Sequence, residues 1–278
     1  MGEGGDVRSR TPEVDTNRPS GARVYDLFLG GKNSFEVDRQ LYRQILTIAP
    51  ETPELAQENR RWLAKVVDLM ARDRGIDQFL DLGSGLPTSE NTHEVAQKAA
   101  PDVTVVYVDD DPTVISHGQA LLADEWQRIY FAAADLTDPA AVLADRTVTG
   151  ALDLNRPVGL LQCLVLHCIA DLAQAREVVA GYVDALPAGS YLAVTHATNP
   201  RDGSRLAEFA TSVEDKVRTA FPSMTFRTAD EIASLFTGLE LVGPGLAAVG
   251  DWWPVNGSRL TTPSGASRLL LGGLARKP

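Results

Sequence analysis

Cysteine, histidine and positive charge are all scarce in this chain of 278 residues. The two cysteines, Cys163 and Cys168, exclude a disulfide framework, and their spacing is not that of a CxxC pair. Lying in an apolar run, they read as core thiols in a reducing cytoplasm. The four histidines, His93, His117, His167 and His196, show neither HxH nor HExxH spacing, so no metal site is expected. Lys and Arg number 26 against 37 Asp and Glu, a net charge of −11. Such a chain lacks the basic stripe that a nucleic-acid surface needs. No apolar run approaches the ~18 residues of a membrane span. The first residues, MGEGGDVRSRTPEVDTNRPS, have no apolar signal core, and Asp6 replaces the Ser or Thr of a myristoylation motif. These absences predict a soluble, cytoplasmic protein whose partner is neither nucleic acid nor membrane.

What is present is an ordinary globular mixture, 44% hydrophobic and 23% charged. Residues 1–19 have no periodicity and read as a mobile tail. Residues 20–74 read as a helical cap. Val24, Leu27 and Phe28 form a stripe stopped by Gly30-Gly31, a second helix carries Phe35, Leu41, Ile45 and Ile48, and a third covers about 53–73. From residue 75 onward short apolar strands alternate with helices. Strands are predicted over 77–82, 103–109, 128–134, 157–164 and 190–196, with helices over about 89–99, 112–124, 138–145 and 171–186. This βαβ alternation predicts an α/β fold with a parallel sheet covered on both faces. A helix over 203–220 and a short one over 229–236 follow, then strands at 239–249 and 267–276. The Pro-, Gly- and Ser-rich loop between those last two predicts an antiparallel hairpin, because a parallel crossover needs about a dozen residues or more.

The segment Asp81-Leu82-Gly83-Ser84-Gly85-Leu86-Pro87-Thr88 follows the first parallel strand and opens a helix. Two glycines at this place let a ligand approach the backbone at the carboxyl edge of the sheet. Asp109 stands 24 residues past Gly85, at the end of the second strand, where a carboxylate accepts from both ribose hydroxyls. A dinucleotide needs a third glycine and free N–H groups toward its pyrophosphate, yet Thr88 takes the glycine position and Pro87 has no N–H. That disfavours a nicotinamide dehydrogenase. S-adenosylmethionine, which has no phosphate, fits better. Asp81 is expected near its ammonium, Asp109 at the ribose, Asp135 and the Leu136 N–H at the adenine, and the adjoining Asp110 in the same site. Gly83, Ser84, Gly85 and Leu164 are expected to complete that site.

Arg23-Val24-Tyr25-Asp26-Leu27-Phe28-Leu29-Gly30-Gly31-Lys32-Asn33, the Phe79–Thr88 segment, Asn91-Thr92-His93-Glu94, Val106-Tyr107-Val108-Asp109 and Thr195-His196-Ala197-Thr198 together resemble the actinobacterial S-adenosyl methyltransferase family, once catalogued as a domain of unknown function. The resemblance runs from about residue 20 to the C-terminus. It implies a Rossmann-like class I methyltransferase with a mostly parallel seven-stranded sheet, S-adenosylmethionine as cofactor, and methyl transfer to an acceptor it does not name. Asn33 and Trp253 depart from it: an acidic and a basic residue are expected there.

In-line methyl transfer draws much of its acceleration from positioning, although an oxygen or nitrogen acceptor also needs a base. His167, just past the fourth strand, is the candidate. Tyr25, Lys32, Asn33, His196 and Trp252 are candidates for the acceptor side, with the segment around Gly30-Gly31 either a lid that orders over the crevice or a permanently docked cap. Trp252-Trp253-Pro254 reads as an acceptor wall or as the contact of a homodimer. A small-molecule acceptor is the first reading. The rival is a cofactor-binding regulatory protein without turnover.

Overall fold

The computed structural model describes residues 13–88, 90–122, 128–253 and 268–278. Residues 1–12 of the expected tail, Ser89, residues 123–124 of an expected helix, Pro254 and Ser267 lie outside them.

Seven strands make one sheet: β1 (Gln78–Leu82), β2 (Thr104–Asp109), β3 (Ile129–Ala133), β4 (Gly159–Cys163), β5 (Tyr191–Ala197), β6 (Glu240–Ala248) and β7 (Leu270–Arg276). Their order is β3-β2-β1-β4-β5-β7-β6. The first five are parallel, and β7 runs antiparallel between β5 and β6. Each strand forms within three residues of its expected ends. The chain steps outward from β1 to β3, then returns to the opposite side of β1 to lay down β4. Such a reversal opens a crevice at the carboxyl ends of the two central strands.

Alternate residues feed two cores. Phe79, Val105, Leu161 and Ala193 face α3 (Thr52–Asp73), which lays Trp62, Val66, Val67 and Met70 against them. Leu80, Leu82, Val106, Val108 and Leu160 face the other way, onto Val142, Val148, Val178, Val179 and Tyr182. Each fully buried Val, Leu or Phe contributes about 1.5–3 kcal/mol. On the first face lies α4 (Thr92–Ala99), and α5 (Pro112–Leu122) joins β2 to β3. The second face carries α6 (Pro139–Ala144), α7 (Arg146–Ala151) and α8 (Leu172–Ala185). The helix expected over 138–145 is two: Asp145 ends α6 and caps α7, its carboxylate accepting the Thr147 N–H at 2.7 Å. After β5 come α9 (Arg205–Arg218) and the short α10 (Ala229–Ala233).

Trp252, expected at an acceptor wall or subunit contact, belongs to the core. It is 2% exposed, meets Trp62 edge to face, and donates its indole N–H to the Gly245 carbonyl at 2.9 Å. A bulge in β6 makes room for it, through Gly243 and Gly245 at φ +67° and +83°.

The remaining helices, α1 (Gly21–Phe28) and α2 (Glu36–Ile48), pack Val24, Phe28, Leu41 and Ile45 against Ala56 of α3 and Val217 of α9. Polar ties fasten them across the strand ends. Arg23 pairs with Asp38 at 2.7 Å, both almost fully buried, and donates to Thr113 Oγ1 at 3.1 Å. The Ser20 hydroxyl bonds Asp111. Both partners lie just past β2. Toward β5, Tyr25 takes an N–H from Asn59, whose carbonyl oxygen accepts the Thr195 hydroxyl at 2.7 Å.

Candidate active site

The turn after β1 is shaped by contact. Gly83 has φ +67°, and a Cβ there would overlap Val165 and lie 3.3 Å from the Leu136 side chain. Three loops therefore meet at one point: the β1 turn, the segment after β3 and the segment after β4. Gly83 and Ser84 both donate their N–H groups to the Val108 carbonyl, at 2.8 and 3.2 Å. Gly85 donates to Asp109 Oδ2 at 2.9 Å. A phosphate-binding loop must keep such donors free. Here they are consumed, so the turn is built for a ligand without a pyrophosphate.

Asp109 is the hinge of this arrangement, since its other oxygen accepts the Asp111 N–H at 2.9 Å. Burial pushes its carboxyl up to about 6 despite those two bonds. Asp81 lies deeper, 5% exposed, with the Thr92 hydroxyl donating to it at 2.7 Å, and burial raises it to about 6 as well. Asp110 is exposed, and its carboxyl is raised by burial of its surroundings and then by Asp135. Asp135, also exposed, accepts the Thr137 N–H and hydroxyl. The neighbouring Leu136 carbonyl is fixed by the Tyr182 hydroxyl at 2.8 Å. Asp81, Gly83, Ser84, Gly85 and Asp109 are thus drawn into one constellation, with Leu136 against it and Asp110 and Asp135 along its rim.

Leu164 leaves β4 with φ +53° and donates its N–H to the Thr195 carbonyl at 2.9 Å. The strained residue turns the chain into a short 3₁₀ turn, Leu166–Cys168. Cys168 is exposed there instead of lying in the core as expected. Its thiol is pushed up to about 11, by partial burial and then by the Asp110 and Asp109 carboxylates. His167 is 9% exposed, and its Nδ1 is buried without a partner. Burial, then the positive charge of Arg227, lowers its pKa to about 4. The ring is therefore neutral at pH 7.

His196 has no free nitrogen for an acceptor: Nδ1 meets the Ala197 carbonyl at 2.6 Å and Nε2 meets Arg227 at 2.8 Å. That tautomer makes Nε2 the acceptor. Arg227, 2% exposed, also donates to the Leu166, Ile169 and Asp171 carbonyls, so it fixes the shape of the His167 turn. Tyr25 is committed to Asn59 and to the Ala56 carbonyl. Lys32 and Asn33 are exposed, and the Asn33 N–H is held by the Asp26 carboxylate at 3.0 Å.

Sequence reasoning passed over Arg60, Asn59 and Arg227. Arg60 shares a pocket of about 460 Å³, mouth included, with Asp81, Ser84, Gly85, Asn91 and Thr92. A single arginine on an amphipathic helix carries no signal that separates it from a solvated face. Among the described residues no group of His, Cys, Asp and Glu is arranged to hold a metal ion, and no helix is long and apolar enough to cross a membrane.

The comparisons with known proteins agree with this geometry. A family model described as S-adenosyl methyltransferase matches residues 8–278. A Thermobifida fusca YX protein assigned as a methyltransferase is 39% identical, with a TM-score of 0.86 over 94% of this chain and 95% of its own. A DUF574 family protein of Streptomyces avermitilis MA-4680 is 35% identical, with a TM-score of 0.88 over 96% of this chain and all of its own. An O-methyltransferase family protein of Burkholderia thailandensis, 15% identical, shares the fold at a TM-score of 0.52, over 86% of this chain and 62% of its own. Comparison with curated proteins returned no match.

Proposed function

This chain belongs to the S-adenosyl methyltransferase family, and on that footing we propose that it methylates a small molecule held between the Leu164–Asp171 turn and the helical cap. It is an S-adenosylmethionine-dependent methyltransferase of class I fold. When bound, the cofactor supplies an electrophilic methyl group. Asp109 would hold its ribose, the Asp135–Leu136 segment its adenine, and Asp81 its ammonium. The observation that supports a small acceptor is the seating of α1 and α2, tied to Asp111 and Thr113 past β2 and to Thr195 at the end of β5. A cap laid across the strand ends restricts the mouth, and excludes water from the reacting groups.

His167 would act as the base. Its neutrality leaves a lone pair for the acceptor's proton, and Arg227 holds the turn that presents it. With a pKa near 4 it is a weak base, suited to take a proton as the acceptor acquires positive character during transfer. The acidic whole, net −11, fits a neutral or cationic small acceptor in the cytoplasm better than a nucleic acid. The test is a radiolabelled-methyl screen of small-molecule acceptors with wild type and His167→Ala. Loss of transfer with S-adenosylhomocysteine affinity unchanged supports the role. Equal turnover by the variant would remove His167 from the chemistry.

A further inference from the structure

Arg60 lies in the first half of α3 and lines the pocket that also holds Asp81, Ser84 and Gly85. Nη2 donates to the Glu90 carbonyl at 3.0 Å, which anchors the group. Nε is buried without a partner, and Nη1 makes no hydrogen bond among the described residues. No carboxylate of the described residues lies in ion-pair range of it, although Asp81 lines the same pocket. Among the described residues, the Thr92 hydroxyl is the donor to Asp81 in turn. Arg60 is half-buried, and a cation partly withdrawn from water gains from an anion that takes up its remaining donors. One pocket thus holds one acid and one base, near each other but not paired with each other. A zwitterionic α-amino acid needs that combination: an anion for its ammonium, and a cation with several donors for its carboxylate.

We propose that Arg60 binds the carboxylate at the methionine end of the cofactor, opposite Asp81, and so gives the pocket its preference for an intact α-amino acid. This deepens the reading of the crevice as the cofactor site and rests on it. The bland alternative, an arginine that only tethers the loop at Glu90, uses one of five donors and has no need of a buried Nε. Arg60 would then belong to the cap as much as to the site, because α3 also carries Asn59, whose bonds to Tyr25 and Thr195 fasten α1 to β5. The amino-acid end of the cofactor would lie at the foot of the cap.

Calorimetry with two ligands tests this: S-adenosylhomocysteine, and 5′-(3-aminopropylthio)adenosine, which keeps the amine but lacks the carboxylate. Wild type is expected to bind the second at least tenfold more weakly, a contrast read without any substitution. Arg60→Gln is expected to lose that contrast by weakening S-adenosylhomocysteine alone, and Arg60→Lys to recover part of it. Equal affinity of wild type for the two ligands would overturn the proposal, as would an undiminished contrast in Arg60→Gln. Failure of the folded wild type to bind either ligand would instead sink the cofactor site on which the proposal rests.

Discussion

Asp109 already accepts two backbone N–H groups before any ligand arrives, so its removal acts on the turn and on the ribose together. Hydrogen bonds to a charged group are worth about 1.5–3 kcal/mol, and Asp109→Ala is expected to weaken S-adenosylhomocysteine tenfold or more by calorimetry. Unchanged affinity in a folded variant would place the ribose elsewhere. The same carboxylate and Asp81 also fix a pH dependence. Both are held at about 6 by burial, above the ordinary carboxylate range. The empty protein therefore binds protons that its unfolded chain has lost, and these groups lower stability as pH rises through about 6. A ligand offering an ammonium and hydroxyls favours the ionised forms. Affinity is then expected to rise with pH through about 6, with proton release. Calorimetry at pH 6 in two buffers of different ionisation enthalpy would show it, and a heat independent of buffer would contradict it. Gln162, fully buried at the end of β4, has neither amide atom paired. An unpaired buried amide costs about 1–3 kcal/mol. Gln162→Met is expected to raise the thermal midpoint, and a fall would show that water or a ligand group satisfies it.

At the scale of elements, the Arg23–Asp38 pair locks α1 to α2, and Arg23 carries the joint on to Thr113 past β2. Asp38 also takes the N–H groups of Ser20 and Phe35, and Gly31 has no room for a side chain because the Asp26 carboxylate fills the space. These ties favour a docked cap over a mobile lid. Removing one partner of a buried pair costs about 3–5 kcal/mol, so Asp38→Ala is expected to lower stability by roughly that amount. Hydrogen exchange over residues 22–35 is expected to be slow with and without S-adenosylhomocysteine. Protection that appears only on binding would restore the lid. This joint was hidden from the sequence. The three helices were visible in the spacing of Val24, Leu41, Trp62 and their neighbours, but no periodicity says that Arg23 meets Asp38 or that Ser20 reaches Asp111. Gly83, Gly85 and Asp109 were legible because a tight turn and an acidic strand end leave a fixed interval. Trp252 and Cys168 were misjudged because burial follows from the β6 bulge and from the Leu164 turn, which one residue's neighbours do not encode. Arg227 lies 31 residues from His196 and 60 from His167, and nothing local announces their contact.

For the molecule as a whole, two sets of buried groups pull stability in opposite directions as pH changes. Burial lowers His167 to about 4 and His196 to about 3, so their contribution is present above the ordinary histidine value and is lost progressively as pH falls from there through about 4 and about 3. Asp81 and Asp109 act the other way, and a bound cofactor cancels their part by keeping them ionised. The rise in thermal midpoint produced by S-adenosylhomocysteine is therefore expected to shrink between pH 7.5 and pH 5.5 by order of magnitude in affinity. An increment independent of pH would separate the carboxylates from the ligand. Everything above depends on one arrangement: a sulfonium nucleoside lying where the turns after β1, β2, β3 and β4 converge. A crystal structure with S-adenosylhomocysteine bound tests that most directly. The ribose is predicted within hydrogen-bond reach of Asp109, with the adenine at Asp135–Leu136 and the amino acid between Asp81 and Arg60. Ligand density away from Asp109, or an amino-acid group pointing away from Asp81 and Arg60 into solvent, would contradict it.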